Sequence, residues 1–487
     1  MNLQPKKSPA YLFKKLGQYI GLSTVTGDFY SLSKEAYASL KKWNTQASRK
    51  ENIGKELLNA FPPALSSKKG FAPEKSNKTI TDLTLNITSG CNLNCLYCWN
   101  EQGSYSNKTF TRQSNLEEKN KYSAFQMSPE IAFRAVDMLV SLSGRDKSLV
   151  VDFYGGEPLL NLKTLFATVD YCRTNQARWK TDFYFLLATN GTLLTREVAE
   201  KLIKKGVQIA VSIDGPKKVH DHNRPFINDK GSFETIASNL KNLPPDILKR
   251  LVGRVTVTPY FSDMVYLYKS LIKIGFERIE LFESEDACHG INPKREKSFF
   301  NTEEEFKVLC KEYERLALLY IDEVSRGFLD YRKTFFNRFF KLMQRLYYSH
   351  QVTGGCPAAK GQIAVDAQGD IYPCTSFLGI DKFKLGDIKR GLDKTRYNSF
   401  IKNANQRYGH CQNCPLFCLC RTTGSCLNIN QYFNSDPAIP YEKGCRLFRK
   451  KLELAMATLA ILSEKIPEKL EKLFGFDPVG RRGNLLY

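Results

Sequence analysis

The chain has 487 residues, 42% hydrophobic and 25% charged, which is enough for a sizeable core and typical of about three domains. Lys and Arg number 72 against 50 Asp and Glu, and the net charge of +22 either favours an acidic partner (nucleic acid, a membrane surface, an acidic peptide) or forms a solvated basic surface. No apolar run approaches the roughly 20 residues that span a bilayer, and the first residues lack a secretory signal pattern. We therefore expect a cytoplasmic protein without a membrane partner, whose 14 cysteines serve metal or redox chemistry rather than disulfides.

Residues 1–78 are predicted to form a separate small module. Residues 11–33 have the pattern of strands around a Thr-Gly turn at 26–27, and residues 34–46 that of a short amphipathic helix. Residues 62–78 are rich in Pro, Ser, Lys and Gly, which is typical of a linker.

Residues 79–290 alternate β-rich runs with helical patterns, beginning with a helix capped by Ser128. The predicted strands are 83–88, 148–154, 182–188, 207–213, 251–257 and 278–283. This alternation predicts a parallel sheet, and six units indicate an α/β fold with an open or partial barrel; a flat doubly wound sheet is the second choice. In a barrel, functional groups lie at the carboxyl ends of the strands.

Three further segments complete the predicted organisation. Residues 291–353 are expected to form a helical bridge, and residues 354–447 a cysteine-rich domain. Residues 448–487 are a final helix and tail, and the helix is expected over roughly 445–473. Its apolar stripe is more typical of core packing than of a partner site.

A cysteine triplet, Cys91, Cys95 and Cys98, directly follows the first barrel strand with the spacing C-x3-C-x2-C. A structural zinc site needs four ligands and a disulfide framework an even number. A four-iron cluster held by three thiolates keeps one iron open for a small chelating molecule. A zinc or redox site with scattered cysteines is the alternative.

With Tyr97 before its third cysteine, the triplet resembles that of the radical S-adenosylmethionine (radical SAM) enzymes. The resemblance implies a (β/α)6 TIM-like partial barrel and a 4Fe-4S cluster whose open iron is chelated by S-adenosylmethionine. Reductive cleavage of this cofactor yields a 5′-deoxyadenosyl radical that abstracts a substrate hydrogen atom. An external electron donor of the flavodoxin or ferredoxin type is expected.

Residues 154–158, "YGGEP", match the glycine-rich cofactor motif of that family. Gly155 and Gly156 would let the backbone approach the methionine moiety, and Glu157 would accept a hydrogen bond from its ammonium group.

The ends of the later strands supply the other expected cofactor contacts. The resemblance implies that Asn190 (in "ATNGTLL") and Ser212 (in "SIDGP") lie near the ribose, and that Arg254 pairs with the methionine carboxylate. For Arg254 a structural ion pair is the alternative. Tyr97 is expected beside the adenine, or else as a core aromatic.

The cysteine-rich tail resembles the SPASM extension, which holds two auxiliary 4Fe-4S clusters, so three clusters are expected in all. Its cysteines are Cys356, Cys374, Cys411, Cys414, Cys418, Cys420, Cys426 and Cys445. Paired zinc sites would satisfy the same count. By resemblance, Cys411, Cys414, Cys420 and Cys445 hold one cluster. Cys356, Cys374 and Cys426 hold the other, and either Cys418 is its fourth ligand or that corner stays open.

Enzymes with this tail mostly modify peptides, and residues 1–78 resemble a winged-helix-like module that binds the leader of a ribosomally made precursor peptide. Residues 100–107 and 220–226 also resemble those maturases. The expected reaction is an intramolecular cross-link: a thioether, a carbon–carbon or an ether bond. Candidate bases are Asp214, Glu283 and Asp366.

Three other functions are alternatives. An anaerobic sulfatase-type maturase, which makes formylglycine, has Asp directly after the second tail cysteine, where this chain has Thr375. A nucleic-acid-modifying radical SAM enzyme would explain the net charge, but no RNA-binding motif is present, so nucleic acid is an unlikely partner. An electron-transfer protein without catalysis would not need the glycine and "SIDG" motifs.

Overall fold

The computed structural model describes residues 10–23, 28–46, 79–98, 125–144, 146, 148–284, 299–327, 337–347, 356–405, 411, 414–417, 419–420 and 426–474. The chain forms two compact units. The smaller contains the described parts of 1–76, 307–356 and 403–483, and the larger those of 77–306 and 357–402.

The N-terminal part of the smaller unit is an antiparallel sheet followed by a helix. Its strands are β1 (Ala10–Lys15), β2 (Gln18–Ser23) and β3 (Phe29–Leu32), in the order β1-β2-β3, and the helix is α1 (Lys34–Gln46). Leu16 and Gly17 connect β1 to β2 with φ of 48° and 81°, as a type I′ hairpin requires. Strands and helix confirm the predicted pattern. The Thr-Gly turn and residues 47–78 lie outside the described residues, and a winged helix is not confirmed.

Six parallel strands form the centre of the larger unit. They are β4 (Asp82–Thr88), β5 (Ser148–Gly155), β6 (Asp182–Thr189), β7 (Val207–Ser212), β8 (Val252–Val257) and β9 (Arg278–Glu283). Their apolar runs are buried, as in a sheet covered on both faces. The strands pair in chain order from β4 to β9. A doubly wound sheet reverses its order midway, so the second-choice fold is wrong and the order is that of a partial barrel.

Helices connect these strands, as the sequence predicted. They are α2 (Pro129–Leu142), α3 (Leu162–Trp179), α4 (Arg196–Lys204), α5 (Lys217–Asn223), α6 (Phe233–Lys241), α7 (Pro245–Leu248) and α8 (Met264–Ile274). The Ser128 hydroxyl accepts from the N–H of Ile131 at 3.4 Å, which confirms the predicted cap of α2.

Part of the cysteine-rich segment extends the barrel sheet, which was not predicted. After helices α9 (Glu303–Ser325) and α10 (Asn337–Tyr347) come β10 (Gln362–Val365), β11 (Asp370–Tyr372), β12 (Gly386–Asp387) and β13 (Gly391–Leu392). Strand β10 pairs in parallel with β4, and the next three strands continue antiparallel. The backbone edge of β4, which would otherwise lack a partner strand, is thereby covered.

The last helices of the described residues are α11 (Lys394–Asn405), α12 (Leu427–Asn434), α13 (Glu442–Lys465) and α14 (Pro467–Phe474). The single helix expected over 445–473 is two, because Pro467 cannot continue α13 and instead begins α14. The predicted apolar stripe is buried at Leu452, Met456, Leu459 and Leu462, which confirms core packing.

Helix α13 packs against all three strands of the N-terminal sheet. The Tyr11 hydroxyl of β1 donates to Glu453 of α13, and Lys15 pairs with Glu314 of α9. The N-terminal sheet thus shares one compact unit with α13 and most of α9. Within the described residues, no helix is long and apolar enough to cross a membrane.

Candidate functional site

The cysteine triplet lies in a loop that begins where β4 ends, at the carboxyl edge of the barrel sheet. The end of β5 holds the start of this loop, because the N–H of Glu157 donates to the carbonyl of Gly90 at 2.8 Å. The end of α5 and the segment after it hold the rest: Leu96 N–H donates to Asn223 O at 2.9 Å and Asn94 N–H to Pro225 O at 2.8 Å. The loop is therefore fixed on two sides by segments of the barrel.

Gly155 and Gly156 allow the end of β5 to lie directly against this loop. A Cβ at Gly155, whose φ is +145°, would be 2.2 Å from the carbonyl oxygen of Thr88. A Cβ at Gly156 would be 2.1 Å from the carbonyl oxygen of Gly90. The visible reason for both glycines is this close backbone packing; an approach to the methionine moiety stays a prediction.

Glu157 is fully buried and joins the ends of β5 and β6. Its carboxylate accepts from Leu159 N–H at 3.0 Å, Thr189 Oγ1 at 2.7 Å and Asn190 N–H at 2.6 Å. Burial raises the pKa of Glu157 to about 7, although these hydrogen bonds oppose the shift. The observed contacts of Glu157 thus fix the positions of its neighbours.

Asn190 contacts the first cysteine of the triplet. Its Nδ2 donates to Asn92 Oδ1 at 2.8 Å and lies 3.8 Å from Cys91 Sγ. Its Oδ1 accepts from the N–H and hydroxyl of Thr192 at 3.0 and 2.7 Å. That Asn190 lies near the ribose stays a prediction, and its contacts with Asn92, Thr192 and Cys91 were not predicted from the sequence.

Tyr97 and Asp214 meet on the other side of the loop, together with an arginine that the sequence analysis missed. Asp214, fully buried after β7, accepts from the Tyr97 hydroxyl and from Arg224 Nε at 3.2 Å. Arg224 Nη1 lies 3.9 Å from Cys95 Sγ, and the guanidinium carbon lies 5.1 Å from the centre of the Tyr97 ring. Residues 220–226 carry a family resemblance, and the arginine within that segment was the available sequence signal for this contact.

Ser212 and Arg254 are neighbours on β7 and β8. Arg254 Nε is 3.3 Å from Glu280 Oε2, and its guanidinium lies 5.0 Å from the centre of the Phe282 ring. The structure therefore shows the ion pair named as the alternative for Arg254, and pairing with a methionine carboxylate stays a prediction.

The three candidate bases have different surroundings. Asp214 is hydrogen-bonded to Tyr97, which lies in the triplet loop, and Glu283 is the buried last residue of β9. Asp366 lies in the β10–β11 turn, where its Oδ1 accepts from Gln368 N–H at 3.0 Å and Asp370 N–H at 2.9 Å. Burial raises the pKa of Asp366 to about 6. Its visible task is to hold that turn.

The triplet fits an iron–sulfur cluster by its donor chemistry. Burial raises the pKa of the Cys91 thiol well above its usual range and that of Cys95 to about 12, so both thiolates need a strong positive partner. Leu93 N–H donates to Cys91 Sγ at 3.4 Å, and hydrogen bonds to the sulfurs are one means by which proteins tune such clusters. Among described residues, no three His, Cys, Asp or Glu side chains could hold a single metal ion. A cluster instead spreads its ligands over separate irons.

A second group of cysteines lies in the smaller unit. Burial, followed by the proximity of Cys420, Cys411 and Cys414, raises the pKa of Cys445 to about 12. The structure thus brings together the four residues expected to hold one auxiliary cluster. Of the other expected ligands, Cys374 is buried, Cys356 is half-buried and Cys426 precedes α12. Cys418 lies outside the described residues.

Two family profiles match the chain. The profile described as the radical SAM superfamily matches residues 85–263, and the SPASM profile, an iron–sulfur cluster-binding domain, matches residues 356–415. The first domain implies a 4Fe-4S cluster that works with S-adenosylmethionine, and the second implies auxiliary iron–sulfur clusters.

Similar proteins include the radical SAM cyclopropyl synthase TigE of Paramaledivibacter caminithermalis, 25% identical over 83% of this chain and 77% of that protein. A cysteine-type anaerobic sulfatase-maturating enzyme of Clostridium novyi is 24% identical over 71% of this chain and 87% of the relative. The solved structure titled "Native anSMEcpe with bound AdoMet" has a TM-score of 0.64 at 20% identity, covering 79% of this chain and 100% of its own. At that identity the likeness shows the fold.

Proposed function

We propose that this chain, a radical SAM enzyme with a SPASM iron–sulfur domain, installs an intramolecular cross-link in a ribosomally made precursor peptide. Cys91, Cys95 and Cys98 would hold the cluster that, once loaded, supplies reductive cleavage of S-adenosylmethionine. The bond formed would be a thioether, a carbon–carbon or an ether link. The observation that carries this proposal is the N-terminal sheet, in which β1 and β3 each have one partner among the described strands.

The sheet suits an extended peptide because of its strand order. Among the described strands, β1 and β3 each pair on one side only. An added strand gains main-chain hydrogen bonds whatever its side chains, so one sheet edge tolerates many substrate sequences. We infer that the occupant is the leader of the precursor, and the net charge of +22 favours an acidic one.

The names of similar proteins support a peptide substrate and bond formation. One solved structure, titled as native anSMEcpe with bound AdoMet and Cp18Cys peptide, has a TM-score of 0.62. The relative TigE is named a cyclopropyl synthase, and closing a cyclopropyl ring forms a bond between carbons.

The tail cysteines support an oxidative outcome. Removing a hydrogen atom and then closing a bond leaves one electron to be accepted, and an auxiliary cluster would accept it. The set Cys411, Cys414, Cys420 and Cys445 has a ligand for every corner, which suits an electron relay closed to substrate. An external donor of the flavodoxin or ferredoxin type would reduce the triplet cluster.

Anaerobic sulfatase-type maturation is the second candidate, favoured by the similarity to the Clostridium enzyme. Against it stands Thr375, which begins a 3-10 turn directly after Cys374. Threonine cannot serve as the carboxylate base expected there. A nucleic-acid substrate would fit the net charge of +22, but the sequence has no RNA-binding motif.

The test uses anaerobically reconstituted full-length enzyme, S-adenosylmethionine, a reductant and the precursor peptide encoded beside its gene. Mass spectrometry should show a product lighter by one pair of hydrogens, with fragmentation blocked between the linked residues. Cys95→Ala is the control that cannot hold a complete triplet cluster. Loss of sulfur with appearance of an aldehyde would favour formylglycine formation and overturn the cross-linking proposal.

Leader binding has a separate test. Hydrogen exchange with and without the leader segment should show new protection in β1 or β3. A core peptide without leader should give none. Unchanged exchange in both strands, with the precursor still bound, would contradict the docking proposal.

A further inference from the structure

A buried ion pair between Arg224 and Asp214 lies directly beside the triplet. Arg224, only 9% exposed, has its Nη1 3.9 Å from Cys95 Sγ, within hydrogen-bonding range of a sulfur. Asp214, fully buried, accepts from the Nε of the same guanidinium at 3.2 Å. The cation therefore lies between the carboxylate and the sulfur.

The surrounding protein holds the pair rigidly. Asp214 also accepts from Thr256 N–H at 3.0 Å and Asn223 Nδ2 at 3.3 Å, besides the Tyr97 hydroxyl. The carbonyl of Arg224 accepts from the Ser232 hydroxyl at 2.5 Å. An arginine that is held both at its backbone carbonyl and at its guanidinium cannot turn away from the sulfur at little cost.

The hydroxyl that holds Arg224 is itself oriented by a histidine. His220 Nδ1 accepts from the N–H of Asp214 at 3.2 Å, so its Nε2 carries the proton and donates to Ser232 Oγ at 3.0 Å. Burial lowers the pKa of His220 to about 4, which keeps the ring neutral. The histidine thus orients the network without adding charge.

We propose that Arg224 is a positioning residue whose fixed positive charge raises the reduction potential of the triplet cluster. Asp214 holds the guanidinium in place and partly offsets its charge. A cluster with three thiolate ligands is anionic, and reduction by one electron from an external donor adds another negative charge. In a buried site a cation at hydrogen-bonding distance from a ligand sulfur stabilises the reduced form more than the oxidised form. Asp214 bonds to the guanidinium and, being negative, has the opposite effect.

The experiment is a redox titration of the reconstituted holoenzyme followed by electron paramagnetic resonance. The signal that changes on adding S-adenosylmethionine identifies the cluster with the open iron. Arg224→Gln should lower the midpoint potential of this cluster by at least about 59 mV, which for one electron corresponds to a tenfold change in the reduction equilibrium. Arg224→Lys keeps the charge and should recover most of that shift.

Asp214→Asn should shift the potential in the opposite direction, because it leaves the cation without its counter-charge. Arg196→Gln is the matched control: it removes the same charge at a site 63% exposed and should change nothing. Equal potentials in wild type, Arg224→Gln and Asp214→Asn would overturn the proposal. Shifts in the same direction would also overturn it, since a loosened loop would affect both variants alike. If the Arg224→Gln variant binds no cluster, the sign of the potential shift in Asp214→Asn decides whether the proposal holds.

Discussion

Asp366 allows a stability prediction whose size follows from the structure. Its carboxylate is 3% exposed, and burial raises its pKa from 3.8 to about 6. At about 1.36 kcal/mol per pKa unit, keeping this group ionised costs the folded state about 3 kcal/mol at pH 8. The N–H groups of Gln368 and Asp370 donate to Oδ1, an atom that asparagine retains. Asp366→Asn should therefore stabilise the protein at pH 8 by up to that amount.

The direction of the pKa shift determines how the stability changes with pH. Because the folded state binds the proton more tightly than the unfolded state, wild-type stability falls as pH rises through about 6. The advantage of Asp366→Asn should be complete at pH 8, fall to about half at pH 5 and fade below the unfolded pKa of 3.8.

The free energy of unfolding of wild type and variant is measured by guanidinium denaturation under anaerobic conditions. The difference between the two proteins at pH 8 and at pH 5 tests both expectations. Asp387→Asn is a control at the end of β12 in the same sheet extension: there hydrogen bonds from Arg390 and Lys389 outweigh desolvation and lower the pKa, so the substitution should not stabilise. A destabilised Asp366→Asn, or an advantage that grows as the pH falls, would refute the reasoning. Loss of peptide modification with unchanged stability would instead favour Asp366 as the base.

Three further predictions concern the cysteines. Changing Cys91, Cys95 and Cys98 to Ala should remove about a third of roughly twelve irons and abolish cleavage of S-adenosylmethionine; iron analysis and quantification of 5′-deoxyadenosine measure this, and unchanged iron would contradict it. Cys445→Ala should lower the iron content by up to a similar amount while cleavage of S-adenosylmethionine persists; zinc in the tail of wild type would overturn the cluster assignment. Cys418→Ala should leave iron and activity nearly intact if the other auxiliary cluster has an open corner, and a cysteine-containing precursor should then perturb its spectrum; a loss of iron would make Cys418 the fourth ligand.

Local pattern was enough to predict the larger part of the fold. The six barrel strands, the cap at Ser128 and helix α1 follow from hydrophobic periodicity and capping chemistry, which operate over a few residues. The triplet could be placed at the carboxyl end of a strand because parallel strands bring such ends to one edge. Its spacing alone indicated a cluster with an open iron.

The boundaries between segments needed the tertiary structure. That β10 continues the barrel sheet beside β4, and that the N-terminal strands pack on α13, depends on pairing between residues hundreds of positions apart. No local pattern identifies which strand edge a later segment will cover.

By itself, then, the sequence determined the elements of the barrel and the thiolates at its edge. Only the tertiary structure decided which side chains surround those thiolates. Asn190 contacts Cys91 across 99 positions and Arg224 contacts Cys95 across 129. Such contacts arise because neighbouring strand ends converge in space. An arginine in a loop has the same sequence signature whether its guanidinium lies in solvent or beside a buried sulfur.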